Sequence, residues 1–199
     1  MTKKLLTAAL AAALATAAPA TAAPDPAEAF LRSKAAERLR NMMMEVLFVA
    51  PLEGQDLLVA YYVPDQGGIS QVDDETRFNL YRPEGEDFKA VQFLGKPGEL
   101  FPGKLDAWRV EDLDGDGFKE IIAVSRPLGF NHKVRSLVFR RAGAEAKFKD
   151  VFKRYEVGAA LLAEGPELTY TFIDRAANRV RRFEHYRLEG GQYQPRQAD

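Results

Sequence analysis

Asp112-Leu113-Asp114-Gly115-Asp116-Gly117-Phe118-Lys119-Glu120 places carboxylates at positions 1, 3, 5 and 9 of one short run, with glycines at positions 4 and 6. Alternate side chains around a tight bend turn toward one point, and glycine permits the backbone such a bend needs. Four acids in so short a run repel one another unless a cation stands among them. Calcium takes about 6–8 oxygen ligands at about 2.3–2.6 Å, a demand that a few carboxylates, a backbone carbonyl and water can meet. The spacing therefore predicts a calcium site built from Asp112, Asp114, Asp116, the Phe118 carbonyl and Glu120. It is not an EF-hand, which needs a bidentate Glu at position 12; Ala123 stands there. The residues that follow, Ile121-Ile122-Ala123-Val124, favour a strand, and Trp108 and Val110 before the loop alternate as in a strand. The loop thus joins two strands, and the fold around it is expected to be β.

Working outward, the chain repeats itself. Three segments, about 46–92, 107–151 and 157–195, share one order: a strand, a Gly-containing loop with an acid, a second strand, then a hairpin. The second strands begin after Asp56, Glu120 and Glu167. The hairpins carry Tyr81-Arg82, Phe139-Arg140 and Tyr186-Arg187, each followed by a glycine turn and a returning aromatic, Phe88, Phe148 or Tyr193. Glycine allows the turn and the aromatics pair across the strands. Four strands per unit at a period near 50 residues is the pattern of a propeller blade or a related sheet module. Three blades are fewer than the usual 4–8. The expected architecture is therefore all-β, with three blade-like antiparallel units packed as an incomplete propeller or a related stack, closing alone or by oligomerisation.

Asp112 to Val124 resembles the calcium loop of FG-GAP repeats, the blades of integrin α-subunit propellers and of many bacterial secreted proteins. The family loop reads D-x-[DN]-x-[DN]-G-x-x-[DE] before an apolar strand. Carried over by position, the resemblance implies the same ligands: Asp112, Asp114, Asp116, the Phe118 carbonyl and Glu120. The match covers about 20 residues, and the Phe-Gly and Gly-Ala-Pro signatures of the family are missing. The first and third units keep only a glycine and an acid, Asp56 or Glu167, and are not expected to hold an ion.

The N-terminus reads as a secretory signal peptide over 1–22: Lys3-Lys4, an Ala/Leu-rich run from Leu5 to Ala18, and small residues at Ala20-Thr21-Ala22. The run is too short to span a bilayer, and no later stretch is long and apolar enough. Removing 1–22 takes two lysines and no acid, leaving 26 basic and 29 acidic side chains. That balance points to neither nucleic acid nor an anionic lipid surface. The chain has no cysteine, so disulfides do not hold it. Residues 23–45 are expected to form one helix, opened by an Asp25 cap and Pro26 and presenting Leu31, Ala35, Leu39, Met42, Met43 and Val46 on one face.

No nucleophile elbow, phosphate loop or zinc-type His spacing occurs. His132 reads as a surface-loop residue and Trp108 as a core anchor. Alternation places Arg181, Phe183, His185 and Arg187 on one strand face that suits an anion or glycan. The expected protein is a periplasmic or secreted calcium-stabilised module that presents a surface to a protein or glycan and is not an enzyme. The alternatives are a small secreted hydrolase with a carboxylate pair and an envelope assembly factor or inhibitor.

Overall fold

The computed structural model describes residues 25–64, 75–94, 101–125, 133–143 and 146–196. The signal segment at 1–22 and His132 lie outside the described residues.

Two short helices replace the single expected one. Helix α1 (Pro26–Arg32) opens as the sequence predicts, with the Asp25 side chain accepting from Ala27 N. The chain then breaks at Ser33, whose hydroxyl donates to the Phe30 carbonyl and accepts from Ala36 N. A serine so placed caps a new helix in preference to continuing the old one. Helix α2 (Lys34–Asn41) follows. The break re-aims the apolar face: Phe30, Ala35, Ala36 and Leu39 are buried, whereas Leu31, Met42 and Met43 are exposed. The expected Met-rich packing surface is therefore corrected.

From Glu45 onward the described chain is three four-stranded antiparallel meanders in sequence order. Sheet A contains β1 (Glu45–Pro51), β2 (Leu57–Val63), β3 (Glu75–Glu84) and β4 (Asp87–Leu94), with the short β5 (Phe101–Pro102) beside β3. Sheet B contains β6 (Leu105–Glu111), β7 (Glu120–Ser125), β8 (Lys133–Arg140) and β9 (Lys149–Val157). Sheet C contains β10 (Ala160–Glu164), β11 (Glu167–Asp174), β12 (Val180–Glu189) and β13 (Gln192–Arg196).

The alternation of side chains along the strands dictates how the sheets stack. On β2, Leu58 and Ala60 face sheet B, while Leu57, Val59 and Tyr61 face the helices. On β7, Ile121 and Ala123 join the core shared with sheet A, while Ile122 joins the core shared with sheet C. Leu168, Tyr170 and Tyr186 complete that second core around Phe152. The order of layers is thus helices, sheet A, sheet B, sheet C. Sheets A and B are covered on both faces, as their long apolar runs require.

Polar contacts lock the layers. Gln92 of sheet A donates to the Phe148 carbonyl at 2.9 Å and accepts from Phe148 N at 3.0 Å. Trp108 lies flat on Phe48, with centroids 3.7 Å apart. It is 44% exposed, so it clamps the rim of the A–B seam and is not the core anchor expected. The chain passes from sheet B to sheet C at Gly158, with φ +59° and Ile173 Cδ1 only 2.7 Å from where a β-carbon would stand. Gly158→Ala should therefore lower stability by more than about 1 kcal/mol, through clash and backbone strain together. Urea titration checks this; an unchanged midpoint would show that Ile173 yields freely.

Candidate metal loop and the repeated acid–arginine pair

Pairing register explains why each unit carries an aromatic-Arg dipeptide. Leu57 faces Tyr81, Ile121 faces Phe139 and Leu168 faces Tyr186. The acid just before each of these apolar residues, Asp56, Glu120 or Glu167, therefore stands beside the arginine just after the aromatic. Arg82 Nε donates to Asp56 Oδ1 at 2.8 Å. Arg140 Nε lies 3.3 Å from Glu120 Oε1, and Arg187 lies 3.9 Å from Glu167. The acid is buried in the first two units and exposed in the third, while Arg82 in the first unit reaches solvent.

The first pair carries an addition. Asp56, almost fully buried, also accepts from Arg141 Nη1 at 3.1 Å. Arg141 extends from the end of β8 and also donates to the Glu53 carbonyl at 3.0 Å. Asp56 is thus a charged tie between sheets A and B.

The second unit carries the acidic loop above its pair. Asp112, Asp114 and Asp116 each bring a carboxylate oxygen within 4.8 Å of the others, a grouping that could hold a metal ion. The loop bends through Gly115 and Gly117, at φ +77° and +87°. Its own N–H groups hold the carboxylates: Asp112 accepts from Gly115 and Gly117, Asp114 from Asp116, and Asp116 from Phe118. The outward oxygens of Asp114 and Asp116 meet Arg140 Nη2 at 2.8 and 2.6 Å.

Glu120 stands apart from the three aspartates, fully buried beneath them. Its Oε2 accepts from Leu113 N at 2.8 Å. Its Oε1 has no hydrogen-bond partner, only the ion pair with Arg140 Nε. This carboxyl is pushed up to about 7, chiefly by burial and in part by Asp114 and Asp116, against the Leu113 N–H and Arg140, which lower it. An acid with a raised folded-state pKa binds its proton more tightly folded than unfolded. Its contribution to stability therefore falls as pH rises from about 4.5 to about 7, and the loss is complete above that. Urea denaturation in calcium-depleted buffer at several pH values, for the wild type and Glu120→Gln, isolates this slope. Parallel curves would contradict it.

The loop touches both neighbours. Lys119 Nζ donates to the Pro51 carbonyl of sheet A at 3.0 Å. On the other side, Leu113 is buried in the B–C core, and its carbonyl would be 3.6 Å from a β-carbon at Gly165, in the corresponding turn of sheet C. Arg109 Nη1 donates to the Ala163 carbonyl at 3.0 Å. The loop therefore stands where the three units meet.

Arg181, Phe183, His185 and Arg187 are opposite Ile173, Thr171, Thr169 and Glu167, on the side of sheet C away from the core. Phe183 is 62% exposed and Leu162 53%. His185 Nδ1 is 3.2 Å from the Thr169 hydroxyl, and Glu167 pairs with Arg196 at 3.1 Å as well as with Arg187.

The chain matches no family model, no curated protein and no solved structure.

Proposed function

We propose that this protein is an exported β module of FG-GAP-like blades whose middle loop binds calcium as a structural ion. The observation that carries the reading is the convergence of Asp112, Asp114 and Asp116 above Glu120, whose buried Oε1 lacks a hydrogen-bond partner. Hard oxygen donors on a glycine-bent loop suit calcium better than softer metals. The ion neutralises the loop and so fixes the point where the three sheets meet. Three four-stranded meanders stacked in chain order support the reading of the units as blades of an incomplete propeller. In that arrangement the helices cap sheet A, and the outer face of sheet C is left for a protein or glycan partner.

A second reading is favoured by Arg140. Its Nη2 already bridges Asp114 and Asp116, so the arginine itself can serve as the cation of the loop. The two readings differ in their response to calcium. Thermal unfolding of the mature protein is expected to shift upward on adding calcium, less on adding the smaller and more geometrically exacting magnesium, and downward with chelator. A melting temperature indifferent to all three favours the arginine alone.

A further inference from the structure

A cleft of about 490 Å³ opens between the loop joining β8 to β9 and the β12–β13 hairpin. It lies away from the outer face of sheet C and belongs to no pattern visible in the sequence. Arg140, Arg141, Lys147 and Lys149 line it together with the Gly190-Gly191 turn, and no described lining residue is acidic. Carboxylates behind the cleft already face Arg140 and Arg141, whereas Lys147 and Lys149 bring charge that an anion in the cleft would offset.

Two of these cations are already fixed. Arg141 is held by Asp56 and Glu53 and lies over the Phe148 ring. Arg140 spends Nη2 on Asp114 and Asp116 and Nε on Glu120. Its Nη1 has no protein acceptor among the described residues and lies beside Gly191, 3.7 Å from where a β-carbon would stand. The guanidinium therefore has two edges, one in the acidic loop and one at the cleft. Carboxylates behind it hold the free edge in place, so binding there costs little further ordering. Lys147 and Lys149 are exposed, and no ion pair engages either among the described residues.

We propose that this cleft binds a small organic anion, with its phosphate or carboxylate group between Arg140 Nη1 and the ammonium groups of Lys147 and Lys149. The cleft falls within the size range of small-molecule sites, and a fixed planar donor beside two mobile point charges is a general arrangement for recognising oxyanions. In the calcium-free protein Asp114 and Asp116 hold Arg140 at the cleft, and that is the state in which the site is tested.

Calorimetric titration in calcium-free buffer with glucose 6-phosphate, glucuronate and glucose tests the proposal. At least one of the two anions should bind saturably and glucose should not. Which anion binds tells whether the site reads a tetrahedral phosphate or a planar carboxylate. Lys147→Glu/Lys149→Glu should weaken binding by at least about tenfold, since removing and reversing two charges at the site raises the dissociation rate. These lysines are exposed, so the melting temperature should not move; Lys147→Ala/Lys149→Ala gives the same readout if charge reversal disturbs the fold. No binding by either anion at about 10 mM, equal binding of glucose, or undiminished binding by a folded double variant would overturn the proposal.

Discussion

Asp56→Ala is expected to cost about 3–5 kcal/mol, the usual penalty for removing one partner of a buried ion pair. The carboxylate takes donations from Arg82 and Arg141. The Arg141 side chain is fully buried, and removing Asp56 takes away the buried carboxylate that faces its charge. Arg82, at 39% side-chain exposure, can turn to water, so most of the loss falls on Arg141. Because the pair spans sheets A and B, the variant should also loosen the seam. Amide exchange should speed up on β2 and β8 together, not on one sheet alone. Asp56→Ala/Arg141→Met should recover much of the loss, since an apolar replacement of a buried pair is often nearly neutral. A denaturation midpoint within about 0.5 kcal/mol of wild type for the single variant would show that water reaches Arg141.

Arg140→Ala is expected to be the most calcium-sensitive variant. Without the guanidinium, the buried Glu120 and its neighbours Asp114 and Asp116 face one another with no cation between them. In chelator the loss should be about 2–4 kcal/mol, below the limit for a fully buried pair because Asp114 and Asp116 keep some contact with water. Calcium at about a hundred times its dissociation constant restores about 2.7 kcal/mol by mass action. The variant should also bind calcium more tightly than wild type, because the ion no longer competes with Arg140 for the same oxygens. Denaturation with and without calcium checks both points. A variant equally unstable in the two conditions would mean that arginine, not metal, is the cation this loop was built around.

These two arginines show how far the sequence was readable. The repeat, the strands and the loop follow from alternation and from acids at fixed spacing, signals carried by neighbouring residues. The shared face of Arg181, Phe183, His185 and Arg187 on β12 follows from the same alternation. The aromatic-Arg dipeptide occurs three times, and its spacing identifies only the aromatic as a cross-strand partner. The arginine gains its meaning only from cross-strand register, which places Arg140 beside Glu120 across about 20 residues of chain. Arg141 is less legible still, since its partner Asp56 belongs to another sheet. The helix break at Ser33 was hidden by an apolar spacing that runs on across it; a serine followed by a good helix former reads equally well as interior or cap. Trp108 looked like core because it is large and apolar, but β6 is the edge strand of its sheet, and its ring can cover Phe48 while remaining half in water. The cleft beside Arg140 left no signal at all, since its cations come from two adjoining segments and its opening from a glycine turn in another sheet.

Titration calorimetry of calcium into the metal-free protein tests the central claim most directly. One saturable site is expected, with a dissociation constant of about 10⁻⁴–10⁻³ M, the range of extracellular modules, lost in Asp112→Ala/Asp116→Ala. The absence of any saturable heat in the wild type, with a melting temperature unmoved by calcium, would contradict it.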